Sequence, residues 1–176
     1  MNWSSKLFVE QVWPEITACV GGGELIQMEG RPDTELASRL DMLSGIDGWQ
    51  IHNSGIRGVA SRIQKGDRSW DTFTVRMSRS SGAETEYAKR KRAIESSGGW
   101  IYPHLTIQAY SKTETGPVMS IGVARTEDII AFIDCGFHRM NSTTNASFAV
   151  CSWSEMDSKG FKIKRITPTK KGRQLV

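Results

Sequence analysis

The chain has 176 residues, 38% of them hydrophobic and 24% charged, as expected of one globular domain with a single core. No apolar run approaches the ~20 residues of a membrane span. Glu10 and Gln11 interrupt the amino-terminal stretch before a signal sequence develops, so a non-membrane, non-exported chain is expected. The net charge of +4 is unevenly spread: residues 1–50 hold eight acids against three bases, residues 57–92 ten bases against four acids, and Lys159 to Val176 seven bases and no acid.

Taken in chain order, residues 5–19 read as a helix with Leu7, Val12 and Ile16 among its apolar positions, Pro14 kinking or restarting it, and Gly21–Gly23 ending it. No Gly-Lys-Ser/Thr follows these glycines, so they are not a phosphate loop. Pro32 and Asp33 open a second predicted helix over 33–43, with Leu36, Leu40 and Leu43 in one stripe. Strands are expected at 46–52 and 57–64, joined by the hairpin turn Asn53-Ser54-Gly55, and at 72–78, where Phe73, Val75 and Met77 alternate with polar residues. A helix over 84–96, strands at 104–110 and 117–124, a helix from Thr126 as N-cap to Asp134, and strands near 147–153 and 160–166 complete the pattern. Residues 1–166 thus form one α/β domain with a mixed sheet, and 167–176 a basic flexible tail.

Cys19, Cys135 and Cys151 are odd in number and widely separated, which excludes a disulfide framework and fits a reducing, cytoplasmic setting. His52, His104 and His138 share no ligand spacing, so zinc is not expected. Trp49, Trp70 and Trp100 read as core or rim residues rather than base-stacking platforms, and Glu155 and Asp157 as part of a turn.

The most informative stretch is Leu40–Gln64. Asp47 sits in Gly45-Ile46-Asp47-Gly48-Trp49-Gln50-Ile51, among residues that favour a sheet, where a carboxylate is costly to bury unless a cation or donor answers it. The following strand presents Arg62 and Gln64 on one face, because side chains alternate with period 2. Gly-Ile-Asp, a short turn and a strand ending in polar residues resemble the restriction-endonuclease-like PD-(D/E)xK superfamily, and the Mrr-like pattern in particular. DTFTVRMSRSSGAETEYAKRKRAI also resembles uncharacterised phage and mobile-element proteins.

The resemblance implies a restriction-endonuclease-like core of order αβββαβ, a central mixed sheet flanked by helices, acting as a Mg²⁺-dependent DNA-directed nuclease. Asp47 stands where the superfamily places its aspartate. Arg62 stands where it places its lysine, and would act as a phosphate clamp rather than a base. Ala60 stands where the second ligand belongs. Gln64 or Glu86, with Glu35 from the preceding helix, would then complete a site for Mg²⁺, a hard cation that takes oxygen ligands. Arg57, Arg62, Arg76, Arg79 and Lys89 are the candidate phosphate contacts. A homodimer is compatible, since two cuts need two sites.

Plainer readings stand beside these. Asp47 could be a strand-end cap or a partner of Arg62. Glu86 could pair along its helix with Lys89 and Arg90. Gln108 reads as a satisfied strand residue. The rival to a nuclease is a non-catalytic module of the same fold that binds nucleic acid or another protein, as phage regulators and anti-defence proteins do. A structural subunit of a larger complex is a third reading.

Overall fold

The computed structural model describes residues 2–28, 45–96 and 101–168. The predicted helix at 33–43, with Glu35, lies outside them, as do Trp100 and most of the basic tail.

The amino-terminal helix is three consecutive segments: α1 (Trp3–Leu7), a π-helical turn (Phe8–Val12) and α2 (Trp13–Ile16), followed by a 3₁₀ turn (Ala18–Val20). Asn2 caps it by accepting from the Ser5 N–H at 2.8 Å, and Pro14 falls in the first turn of α2, where a missing N–H costs little. Three positive-φ glycines then turn the chain into β1 (Glu24–Gln27), a short strand not foreseen from the sequence. A side chain at Gly23 would lie 2.1 Å from the Ile51 carbonyl oxygen, so the turn tolerates only glycine there.

The remaining elements are β2 (Gly48–His52), β3 (Gly55–Lys65), β4 (Thr72–Arg79), α3 (Glu86–Glu95), β5 (Pro103–Ser111), β6 (Val118–Arg125), α4 (Thr126–Asp134), β7 (Arg139–Ser142), β8 (Ala146–Ser152), α5 (Trp153–Ser158) and β9 (Ile163–Ile166). The expected α/β class with a mixed, helix-flanked sheet is present. Six strands pair in the order β1-β2-β3-β5-β6-β9, parallel between β3 and β5 and antiparallel elsewhere.

One expectation is corrected. β4 does not join this sheet; it pairs with β8 in a separate three-stranded antiparallel sheet, β4-β8-β7. The alternation of Phe73, Val75 and Met77 suits either sheet, and its partner β8 lies far along the chain. Two smaller differences follow from side-chain chemistry. Thr126 is the first residue of α4 rather than its cap, because its hydroxyl is spent on the Thr106 hydroxyl at 2.8 Å in the interior. Glu155 and Asp157 ride on α5 rather than in a turn.

The large sheet separates two apolar clusters. Leu105, Ile107 and Ala109 of β5 and Val59 and Ile63 of β3 face the amino-terminal helix, packing on Phe8, Val12, Trp13 and Ile16. On the opposite side, Tyr110 and Ala124 meet Phe73, Val75, Ala149 and Cys151 of the small sheet, Ile129, Phe132 and Ile133 of α4, and Trp153 and Met156 of α5. Period 2 on β3 and β5 therefore sends Arg62, Gln64, Thr106, Gln108 and Tyr110 toward the second layer. That alternation places a polar cavity between the two sheets.

Candidate functional site

Asp47 extends the β2–β3 ladder by one residue: its N–H donates to the Val59 carbonyl at 2.9 Å and its carbonyl accepts from the Met28 N–H at 3.0 Å. Its side chain crosses to β3, where Oδ2 accepts the Ser61 N–H at 2.6 Å. This is strand-end capping geometry, the plainer of the readings given for Asp47. Arg62 pairs instead with Glu86.

Glu86 stands in the first turn of α3, whose N-cap Thr85 accepts from the Ala88 N–H at 3.2 Å. Its Oε1 accepts from Arg62 of β3 and its Oε2 from the Arg76 N–H of β4 at 3.3 Å. The carboxylate thus ties α3 to both sheets, a role that helix spacing alone did not reveal. Burial works to raise its pKa, but Arg90, Arg62 and the N–H and charge of Arg76 outweigh burial and hold it below its ordinary value of 4.5. Because the folded-state pKa is depressed, the stabilisation is present above pH 4.5 and is lost as pH falls through the folded value. Urea midpoints measured from neutral pH into this acid limb should decline less steeply in Glu86→Gln than in the wild type.

Around this pair lies a cavity of about 210 Å³, lined by Gly45, Asp47, Ser61, Arg62, Thr74, Arg79, Glu86, Lys89, Arg90, Thr106 and Gln108. The fold therefore brings Asp47, Arg62, Glu86, Arg79 and Lys89 to one cavity. Gln64 lines the adjoining recess, and Thr74 lines both spaces. Arg76 sits behind Glu86 with its guanidinium 5.4 Å from the Phe148 ring centre, which also faces Arg62 at 5.6 Å. Arg57 is elsewhere: it donates to Gln50 Oε1 at 2.7 Å and to the Val20 carbonyl, fastening β3 to the end of the amino-terminal helix.

Sequence reasoning passed over Arg90 and Gln108 as site residues. Both are buried, at 7% and 1% exposure. Gln108 Oε1 accepts from the Thr74 hydroxyl at 3.2 Å, but among the described residues its Nε2 has no acceptor, and Arg79 Nε and Arg90 Nε are equally without one. Three buried donors without acceptors beside one cavity are unusual, since buried polar groups are nearly always satisfied. The inward phase of β5 was legible, but a missing acceptor is a three-dimensional fact.

The described residues do not fit a magnesium site well. Glu86 is committed to arginines, Asp47 holds the Ser61 N–H, and the described residues contain no group of three or more His, Cys, Asp or Glu able to share an ion. The same donor set suits an anion: four cationic side chains against two carboxylates. Compared with known proteins, the chain matches no family model, no curated relative and no solved structure. Among the described residues no helix is long and apolar enough to cross a membrane.

Proposed function

We propose that the protein is a DNA-directed binding module that grips a backbone phosphate in the cavity between β3, β4 and α3. The observation that carries this is the charge of the lining: among the described residues Arg62, Arg79, Lys89 and Arg90 face the cavity against the carboxylates of Asp47 and Glu86. A phosphate in the cavity answers the excess of lining cations. On this reading the Asp47 hairpin, β3, α3 and β5 belong to a restriction-endonuclease-like core whose second acid is tied up by arginines.

A second reading, a Mg²⁺-dependent nuclease, is supported by Asp47 and Glu86 lining the cavity together with Arg62. One substitution separates the two. In Asp47→Asn, binding of a labelled duplex, followed by anisotropy across a salt series, is expected to stay within a few-fold of the wild type or tighten, because a like charge beside the phosphate is removed. Affinity should fall steeply as salt rises. Nicking of plasmid DNA in Mg²⁺ or Mn²⁺ that disappears in Asp47→Asn would establish the nuclease instead. Wild-type affinity insensitive to salt would overturn the phosphate reading.

A further inference from the structure

We propose that the recess beside the phosphate cavity receives an unpaired nucleobase, so that the ligand is a single strand, a frayed end or a nucleotide turned out of its duplex. The inference rests on the phosphate reading above and names the form of nucleic acid that the same groove takes.

The recess has a volume of about 410 Å³, and Gln64, Lys65, Arg68, Trp70, Thr72 and Tyr110 are among its lining residues. It adjoins the phosphate cavity at Thr74 of β4, which lines both. Arg62 and Gln64 are successive same-face residues of β3, about 7 Å apart. A strand whose phosphate sits by Arg62 therefore carries its neighbouring base toward Gln64 and Trp70, about one nucleotide step along.

Trp70 is 58% exposed, against 8% and 1% for Trp13 and Trp153 of the core. It does not dangle. Asp71 beside it takes a left-handed backbone conformation, φ 48°, which aspartate tolerates better than most residues. The Asp71 carbonyl accepts from the Trp153 N–H at 2.9 Å, and its side chain accepts from the Ser120 hydroxyl at 3.2 Å. The turn is thereby pinned to α5 and β6 and holds the indole outward. The Arg68 guanidinium lies 3.7 Å from the indole ring centre. An exposed indole paired with a guanidinium is a stacking platform for any base, and Gln64 offers an amide to a base edge. A base inside a duplex has both faces covered by its neighbours, so it reaches such a platform only after leaving the stack.

The test compares a short oligothymidylate with a hairpin duplex, using anisotropy and intrinsic tryptophan fluorescence. Trp70 is on the surface, so Trp70→Ala is expected to fold. It should lose roughly 10- to 100-fold in affinity for the single strand, with most of the ligand-induced quenching, and change duplex affinity little. Arg79→Gln, which leaves the Arg62–Glu86 pair intact, should weaken both ligands. If Trp70→Ala leaves single-strand affinity and quenching unchanged while Arg79→Gln weakens both ligands, the base recess is wrong and the phosphate site stands. If Arg79→Gln and Arg62→Ala change neither, the phosphate reading falls as well. Equal loss on both ligands in Trp70→Ala would overturn the preference for an unpaired base.

Discussion

Glu86→Ala is expected to lower the stability of the fold by about 3 kcal/mol and, in the protein that remains folded, to tighten its hold on DNA. The stability loss follows from what the carboxylate joins. Arg62 reaches Glu86 from β3, the Arg76 N–H from β4, and Arg90 lies beside it on α3. Removing one member of a buried charged network leaves the others uncompensated, at a cost of about 3–5 kcal/mol. The lower end applies because the Arg62 and Glu86 side chains keep 25% and 19% exposure. The affinity gain follows from the same charges: with the internal anion gone, a phosphate becomes the remaining partner for the arginines, and a several-fold gain at low salt is expected. Urea denaturation reads the first effect and anisotropy the second. Weaker DNA binding with stability unchanged would instead place Glu86 in contact with the ligand or its metal ion, and would revive the nuclease reading. Glu86→Gln retains the shape of the side chain but turns one of its two accepting oxygens into a donor, so it removes the charge together with one of the bonds from Arg62 and the Arg76 N–H.

Trp153→Ala is expected to cost about 3–5 kcal/mol, the range for truncating a large buried aromatic. Trp153 is 1% exposed and packs against Phe73 of the small sheet and Tyr110 of the large one, with ring centres 5.7 Å and 6.0 Å away. Its space exists because β6 carries glycine at 122: a Cβ there would fall 2.3 Å from Cζ2 of the indole. Gly122→Val is accordingly expected to destabilise by overpacking, by about 1–3 kcal/mol or more. In the double variant the valine refills part of the space vacated by the indole, so the combined loss should be smaller than the sum of the single losses. Chemical denaturation of all four proteins closes this cycle. Strict additivity would mean that the two positions do not share one cavity.

The elements that were legible in the sequence are those whose signal is local. The hairpin at Asn53–Gly55, the alternation along β3 and β5, and α3 and α4 all emerge within two or three residues of their expected bounds, because turn chemistry and side-chain period act over a few residues. The departure of β4 into a second sheet was not legible, since β8, its partner, comes after β5, β6 and α4. The candidate site divides in the same way. Asp47, Arg62 and Glu86 stood out as charges at chosen phases of strand or helix, and the fold sets them around one cavity. The bond from Arg62 to Glu86 and the unsatisfied amide of Gln108 were hidden, because each depends on how β3, β4, α3 and β5 meet.

The parallel pairing of β3 with β5 has a consequence for how the protein reaches its native state. Asp47, just before β2, and Arg62, Thr74, Glu86 and Gln108 of β3, β4, α3 and β5 follow one another along the chain, so the described lining of the cavity runs from Gly45 to Gln108. β3 and β5 cannot pair in parallel until the intervening segment has crossed from the end of one strand to the start of the other. Closing so long a loop is entropically expensive and slow compared with forming the β2–β3 hairpin. The step that joins the two strands is therefore the same step that brings Gln108 to Arg62 and Thr74. A chain stalled before it would retain the hairpin and its Asp47 and still lack a binding cavity.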